Sequence, residues 1–282
     1  MSGTGGERRA AHEHIQRTPQ MPLIQDLLTS LEQQIPLDLA EPWDNVGLLL
    51  GDARTELKGV MTCLTLTEDV AEEAIREGSN LVITHHPILF KAVKRLTTDT
   101  SEGRLLWKLA QAGVSVYSPH TAFDSAREGI NQQIATALGL RHSQPIRPRP
   151  QSTEGAGRWG RLAVPVSLSD LLLRLEPICL TTQFTYVGEL TQCCETIAIA
   201  CGAAGDFLPD AAALGCQVFV TGETRFHTCL EARSLGMALV MVGHYASERP
   251  AVEALARRLA AQWSPLRVWA SCVEADPVRF HL

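Results

Sequence analysis

Apolar positions recur along the chain at two periods, and their alternation lays out the elements. In MPLIQDLLTSLEQQI the apolar residues fall at helical spacing and Pro36 follows, so a helix opens the fold. After the short segment EPWDNVGLLLGD, the run GVMTCLTLT is brief, apolar and rich in β-favouring residues, which predicts a buried strand. TEDVAEEAIREG then has acidic residues in a first helical turn and a closing glycine, and NLVIT reads as a strand running into His85, His86 and Pro87. A helix around GRLLWKLAQAG feeds the strand VSVYS, which runs into Pro119 and His120. Strands alternating with helices of this length indicate βαβ units and an α/β fold class.

The pattern lapses over residues 141–160, RHSQPIRPRPQSTEGAGRWG, a stretch dense in Pro, Gly, Arg and Ser with no apolar period, which reads as a linker or exposed loop. Beyond it TIAIACGAAGDF is strand and turn, LPDAAALG helix, CQVFVTGE strand, HTCLEARSLG helix, and MALVMVGH a strand ending on His244. The expected organisation is a disordered tail over 1–20, a first α/β half over 21–140, and a second over 161–282 whose C-terminal part is free to pack back on the first. Aligning the halves on their helix-stopping glycines (Gly78 and Gly113, Gly215 and Gly236) sets His85-His86 against Gly222-Glu223, and His120 against His244 within one residue. A carboxylate follows each of the latter at the same distance, Asp124 and Glu248. Ligands gather at the carboxyl ends of strands in such sheets, so the site is expected to be built from both pseudo-repeated halves.

Composition narrows the partners. The 282 residues exceed the usual single-domain size, and 45% hydrophobic with 20% charged residues is ordinary for a globular protein. No apolar run approaches the roughly 20 residues of a bilayer span, so no membrane partner is expected. A net charge of −6 without a basic stripe argues against nucleic acid. The eight cysteines form no C-x-x-C pair and lie mostly in apolar segments, which suits reduced thiols in a cytoplasmic protein. The first twenty residues lack the apolar stretch of a secretory signal, and their His12 and His14 are not taken as a site.

The chemistry concentrates at strand ends. Successive strand residues point to opposite faces, so His85 and His86 would diverge if strand geometry persisted; Pro87 marks the strand's end and lets the rings serve neighbouring metals. A hydrogen-bonded histidine pair is the alternative. Asp124 is either a ligand or the cap of a helix whose Ile130, Ile134 and Leu138 share a face. Ser247 and Pro250 suggest a helix starting between them, so His244 and Glu248 are expected to span a turn, with Glu248 also suited to a helix dipole. Imidazole and carboxylate without thiolate suit Zn, Fe, Mn, Co or Ni. Five ligands over-supply one catalytic ion and leave open positions at two, the arrangement of many hydrolases. His120 is expected to orient a ligand or carry a proton, Glu223 to act as base or supporting partner, and His227 to touch substrate or simply face solvent. Trp43, Asp44 and Asn45 read as a turn. No P-loop, G-x-G-x-x-G or G-x-S-x-G pattern accompanies them.

Taken in order, WDNVGLLLG, THHP, HTAFD with GIN and LGL, VTGE and GHYASE resemble the Nif-three-like family of dinuclear-metal proteins, often called GTP cyclohydrolase 1 type 2 homologues. The resemblance spans nearly all the chain beyond its first twenty residues. It implies two interlinked α/β halves with mixed sheets flanked by helices and the site at strand ends between them, two divalent ions held by His85, His86, Asp124, His244 and Glu248, a toroidal homohexamer, and hydrolytic opening of the guanine imidazole ring of GTP or of a nucleotide-like substrate. Glu223, His120 and Tyr245 are then the expected proton carriers. Relatives often have a second histidine where Tyr245 stands, which weakens a relay there. Phosphoester cleavage at the same ions, or a non-enzymatic metal-binding ring that captures proteins, are the other functions this pattern allows.

Overall fold

The computed structural model describes residues 21–150 and 152–281; the expectations placed on residues 1–20 lie outside it. Helix α1 (Ile24–Gln34) forms where the apolar spacing predicts it and buries Ile24, Leu27, Leu28 and Leu31. Strand β1 (Gly47–Leu50) follows, then β2 (Gly59–Cys63), every residue of which is buried. Helix α2 (Glu68–Arg76) begins with Glu68 and Asp69, whose charges favour the positive end of its dipole. Strand β3 (Leu81–Thr84), helix α3 (Ser101–Gln111), strand β4 (Ser115–Ser118) and the helices α4 (His120–Ser125) and α5 (Ile130–Ala137) complete the first unit.

Residues 141–160 carry β5 (Arg141–Gln144), the small hairpin of β6 (Arg147–Pro148) and β7 (Gly155–Ala156), and the start of β8 (Arg158–Ser167). Arg158 is buried there. Its guanidinium donates to the carbonyls of Ser125 and Ala126 at 3.0 and 2.9 Å and to those of Gly155 and Gly157 at 2.6 and 2.7 Å. The hairpin is thereby fastened to the end of α4, one residue from Asp124. The chain then runs through α6 (Leu168–Cys179), β9 (Thr185–Val187), β10 (Cys193–Ala200), α7 (Leu208–Ala213), β11 (Val218–Thr221), α8 (Phe226–Ser234), β12 (Ala238–Met241), α9 (His244–Gln262) and β13 (Arg267–Ala270).

One sheet has the order β1-β4-β3-β2-β13 and the other β5-β8-β10-β11-β12-β9. In each, three parallel strands form the repeat: β2, β3 and β4 in the first, β10, β11 and β12 in the second. An antiparallel strand closes the same side of both, β1 beside β4 and β9 beside β12. The sheets are mixed and flanked by helices, and they are interlinked. Strand β13, from the end of the chain, pairs parallel with β2, matching Arg267 to Gly59 and Ala270 to Thr62. One apolar cluster spans both halves, holding Leu27, Leu81 and Tyr117 together with Leu171, Ile197, Val240 and Leu255. Among the described residues no helix is long and apolar enough to cross a membrane.

Candidate metal centre

Corresponding strand ends of the two sheets supply the same pocket. Beyond β3 the His85 and His86 amides still donate to Cys63 and Leu64 of the β2 end, at 3.0 and 2.8 Å. Ladder bonding therefore continues past Thr84, yet the rings do not diverge: their centroids lie 5.2 Å apart, tilted by 55°. Asp124 does not cap α5, whose N-terminus falls at Gly129 without a side-chain cap; it sits in α4, four residues after His120. His244 and Glu248 correct the other local expectation. Helix α9 starts at His244 itself, so the pair occupies one turn with Nε2 3.2 Å from Oε2.

His85 stands at the centre, with its side chain 1% exposed. Its Nε2 lies 3.6 Å from Asp124 Oδ1 and 3.8 Å from Glu248 Oε2, and neither ring nitrogen has a hydrogen-bond partner. Glu248 Oε2 also lies 3.1 Å from His86 Nε2, and the Nε2 atoms of His86 and His244 are 3.3 Å apart. Two groups with ligand atoms within 4.8 Å of one another emerge, His85-His86-His120 and His86-His244-Glu248. Asp124 belongs to neither group, but its carboxylate faces His85 directly. His120 belongs to the first, and its Nδ1 donates to Asp44 at 2.7 Å.

Burial sets the charge states. Desolvation pushes His85 down to about 3, leaving a neutral imidazole with a free lone pair. Burial, followed by the neighbouring Glu248 charge, lifts Asp124 to about 7. Burial opposes ionisation of Glu248 too, yet the hydrogen bonds from His244 and His86 hold it below the usual carboxylate range. His244 is raised to about 9, first by its hydrogen bond to Glu248. Buried Glu248 and partly exposed Asp124 both face an unpartnered, buried imidazole, an acceptor-rich arrangement that a cation between them would neutralise. This donor set fits a divalent metal.

A surrounding layer orients these groups. Glu223 Oε1 lies 3.0 Å from His244 Nδ1, and Thr65 Oγ1 lies 2.8 Å from His86 Nδ1, each fixing the ring through the nitrogen remote from the cluster. Thr65 is itself held. Glu274 accepts from the Leu64 and Thr65 amides at 2.9 and 2.6 Å, and buried Arg249 stands 3.4 Å from it. Asp44, its side chain buried, receives His120 Nδ1, the Thr121 amide at 3.1 Å and the Thr121 hydroxyl; burial works against its charge, but these bonds hold it down to about 2. Cys201 Sγ donates to Asp124 Oδ1 at 3.2 Å, and its own amide is fixed by Asn131 at 2.8 Å. His120 has φ +28°, a backbone region that residues other than glycine rarely occupy.

Tyr245 is not brought to the cluster: its hydroxyl donates to the Glu274 carbonyl and accepts from Arg249. His227 stands on α8, beside exposed Phe226. Sequence reading passed over Thr65 and Glu274, and took Cys201 for core filler and Asp44 for a turn residue. Of these only Asp44 carried a signal, through its place in WDNVG.

Fold and site together define an α/β protein with a candidate metal centre between the strand ends of two repeated sheets. Over residues 22–277 the chain matches the family model described as Duf34/NIF3 (NGG1p interacting factor 3), and it belongs to that family. A Clostridium acetobutylicum relative named GTP cyclohydrolase 1 type 2 homolog is 32% identical over 238 residues, 84% of this chain and 89% of the relative. A Schizosaccharomyces pombe relative named Protein NIF3 homolog is 32% identical over 260 residues, 85% and 91% of the two chains. A Staphylococcus aureus crystal structure superposes with a TM-score of 0.82 at 27% identity, covering 92% of this chain and 99% of that one. A Bacillus cereus protein related to NIF3 shares the fold with a TM-score of 0.85 at 21% identity, over 93% and 100%.

Proposed function

We propose that the chain is a metal-dependent hydrolase that binds two divalent ions through His85, His86, Asp124, His244 and Glu248 and acts on a nucleotide-like substrate. The observation that carries this reading is His85, fully enclosed between two carboxylates with both ring nitrogens unpartnered. When bound, such ions supply a nucleophile from water at neutral pH and polarise the bond it attacks. The chain's own residues do the rest. Glu223 and Thr65 keep the His244 and His86 rings turned with Nε2 inward, and Cys201 steadies the Asp124 carboxylate. His120, held by Asp44 and edge-on to His85 at 5.1 Å, carries a proton at the pocket wall beside the ions and does not bind them. Hydrolytic opening of the guanine imidazole ring is the reaction favoured by the names of the relatives. The hexamer implied by the sequence resemblance is part of the proposal.

Metal content measured together with a nucleotide panel tests the reading. Wild-type protein should carry metal and consume GTP, whereas Asp124→Asn should lose turnover at unchanged oligomer size by light scattering. Metal-loaded protein that never consumes GTP overturns the substrate assignment. Cleavage of phosphodiesters in its place points to a phosphoesterase, and protein capture without any turnover to a binding ring.

A further inference from the structure

The candidate centre opens into a cavity of about 490 Å³ whose outer wall is aromatic. Trp43 and Phe90 are 61% and 50% exposed, a large apolar area to leave in water at the mouth of a polar site. Their rings meet at 65° with centroids 5.9 Å apart, and each also lies against His120, at 6.2 and 6.4 Å. His120 in turn is 5.8 Å from His86, so one ring layer separates this wall from the cluster. The two aromatic loops are tied together, because the Asn45 side chain donates to the Leu89 carbonyl at 2.6 Å. The wall is therefore preorganised.

Charge distinguishes the part of a ligand that fits. Among the described residues Arg147 is the sole arginine or lysine lining the cavity, and it is already committed: it pairs with Asp206 and Asp210 at 3.0 and 2.6 Å and lies 3.8 Å over the Phe207 ring. Glu41, Asp124, Asp206 and Glu248 also face the space. A polyphosphate finds no free arginine or lysine here, while a planar uncharged ring finds exposed aromatic surface on which to stack.

Building on the nucleotide-like substrate proposed above, we infer that Trp43 and Phe90 form a stacking site for the heteroaromatic base of the ligand, so that the base enters beside the metals and any phosphates point outward. This assigns the centre to chemistry on the ring and away from the phosphoester.

Calorimetric titration of the metal-loaded full chain with guanosine, ribose 5-phosphate and inorganic phosphate tests it. Guanosine should bind at least about ten-fold more tightly than either phosphate probe. Trp43→Ala should weaken guanosine at least about five-fold at unchanged metal content, and Trp43→Phe should recover most of the loss. Phe90→Leu gives an independent reading on a second loop. Phosphate probes binding as tightly as guanosine, undetectable guanosine binding, or guanosine affinity indifferent to both positions overturns the inference. Turnover separates it from the proposed reaction. GTP left intact, with guanosine binding that requires Trp43, removes the reaction and keeps the ring site; GTP consumed, with binding that ignores Trp43 and Phe90, does the reverse.

Discussion

Gly202 lies directly against Glu248: a β-carbon at position 202 would stand 2.5 Å from the Glu248 Oε1, and the glycine's φ of +67° belongs to the left-handed region. The end of β10 can pass the carboxylate only without a side chain. Gly202→Ala should therefore displace Glu248 from His86 and His244. The expected result is loss of most bound metal by elemental analysis, with the metal-free fold weakened by about 1–2 kcal/mol in a denaturant melt.

Glu274 acts at a distance. By accepting from the Leu64 and Thr65 amides it sets where Thr65 Oγ1 meets His86. Glu274→Ala should lower metal affinity by roughly 10–100-fold in competition with a chromogenic chelator. Glu274→Gln, which keeps acceptor oxygen, should recover part of it. Equal affinity in all three proteins would remove Glu274 from the support of the centre.

His120 separates holding metal from using it. With Nδ1 bound to Asp44, it is assigned to the pocket wall. His120→Ala should retain near-normal metal content while turnover falls by about 10²-fold or more. Loss of metal in that variant would make His120 a ligand.

Metal affinity should rise with pH. In the metal-free chain burial raises Asp124 well above the usual carboxylate range and His244 is raised to about 9, so near neutrality His244 holds a proton and Asp124 holds one part of the time, and these must leave before the lone pairs can coordinate. Affinity should climb from pH 6 through pH 9 and fall as acid restores those protons. Calorimetry in buffers of different ionisation enthalpy should record net proton release at pH 7; a pH-independent affinity would contradict these assignments.

The sequence made the repeat legible because imidazoles at the ends of apolar strands stand out against their surroundings, as at His85 and His244. Helix starts were harder. Ser247 and Pro250 look like a beginning, but α9 starts at His244 and carries Pro250 within it, packed among buried Ser247, Glu248 and Ala251. Strand β8 escaped notice because Arg161, Ala163, Val164 and Pro165 are exposed while the charged Arg158 is buried, which erases the usual alternation. Thr65 and Glu274 left no trace at all, since their partners include backbone amides that every residue possesses. Asp44 looked like a turn residue, and its contact with His120 comes from 76 positions along the chain.

The pairing of β13 with β2 gives the centre a place in the order of synthesis. Every proposed ligand has been made by residue 248, but the strand beside β2 and the Glu274 that steadies the His86 loop emerge later. A nascent chain paused before residue 267 holds all five donors with one edge of its first sheet open. Until β13 has joined β2 and brought Glu274 to the Leu64 and Thr65 amides, the Thr65 hydroxyl that meets His86 lacks its anchor, so the proposed donors are all made before the His86 ring is oriented.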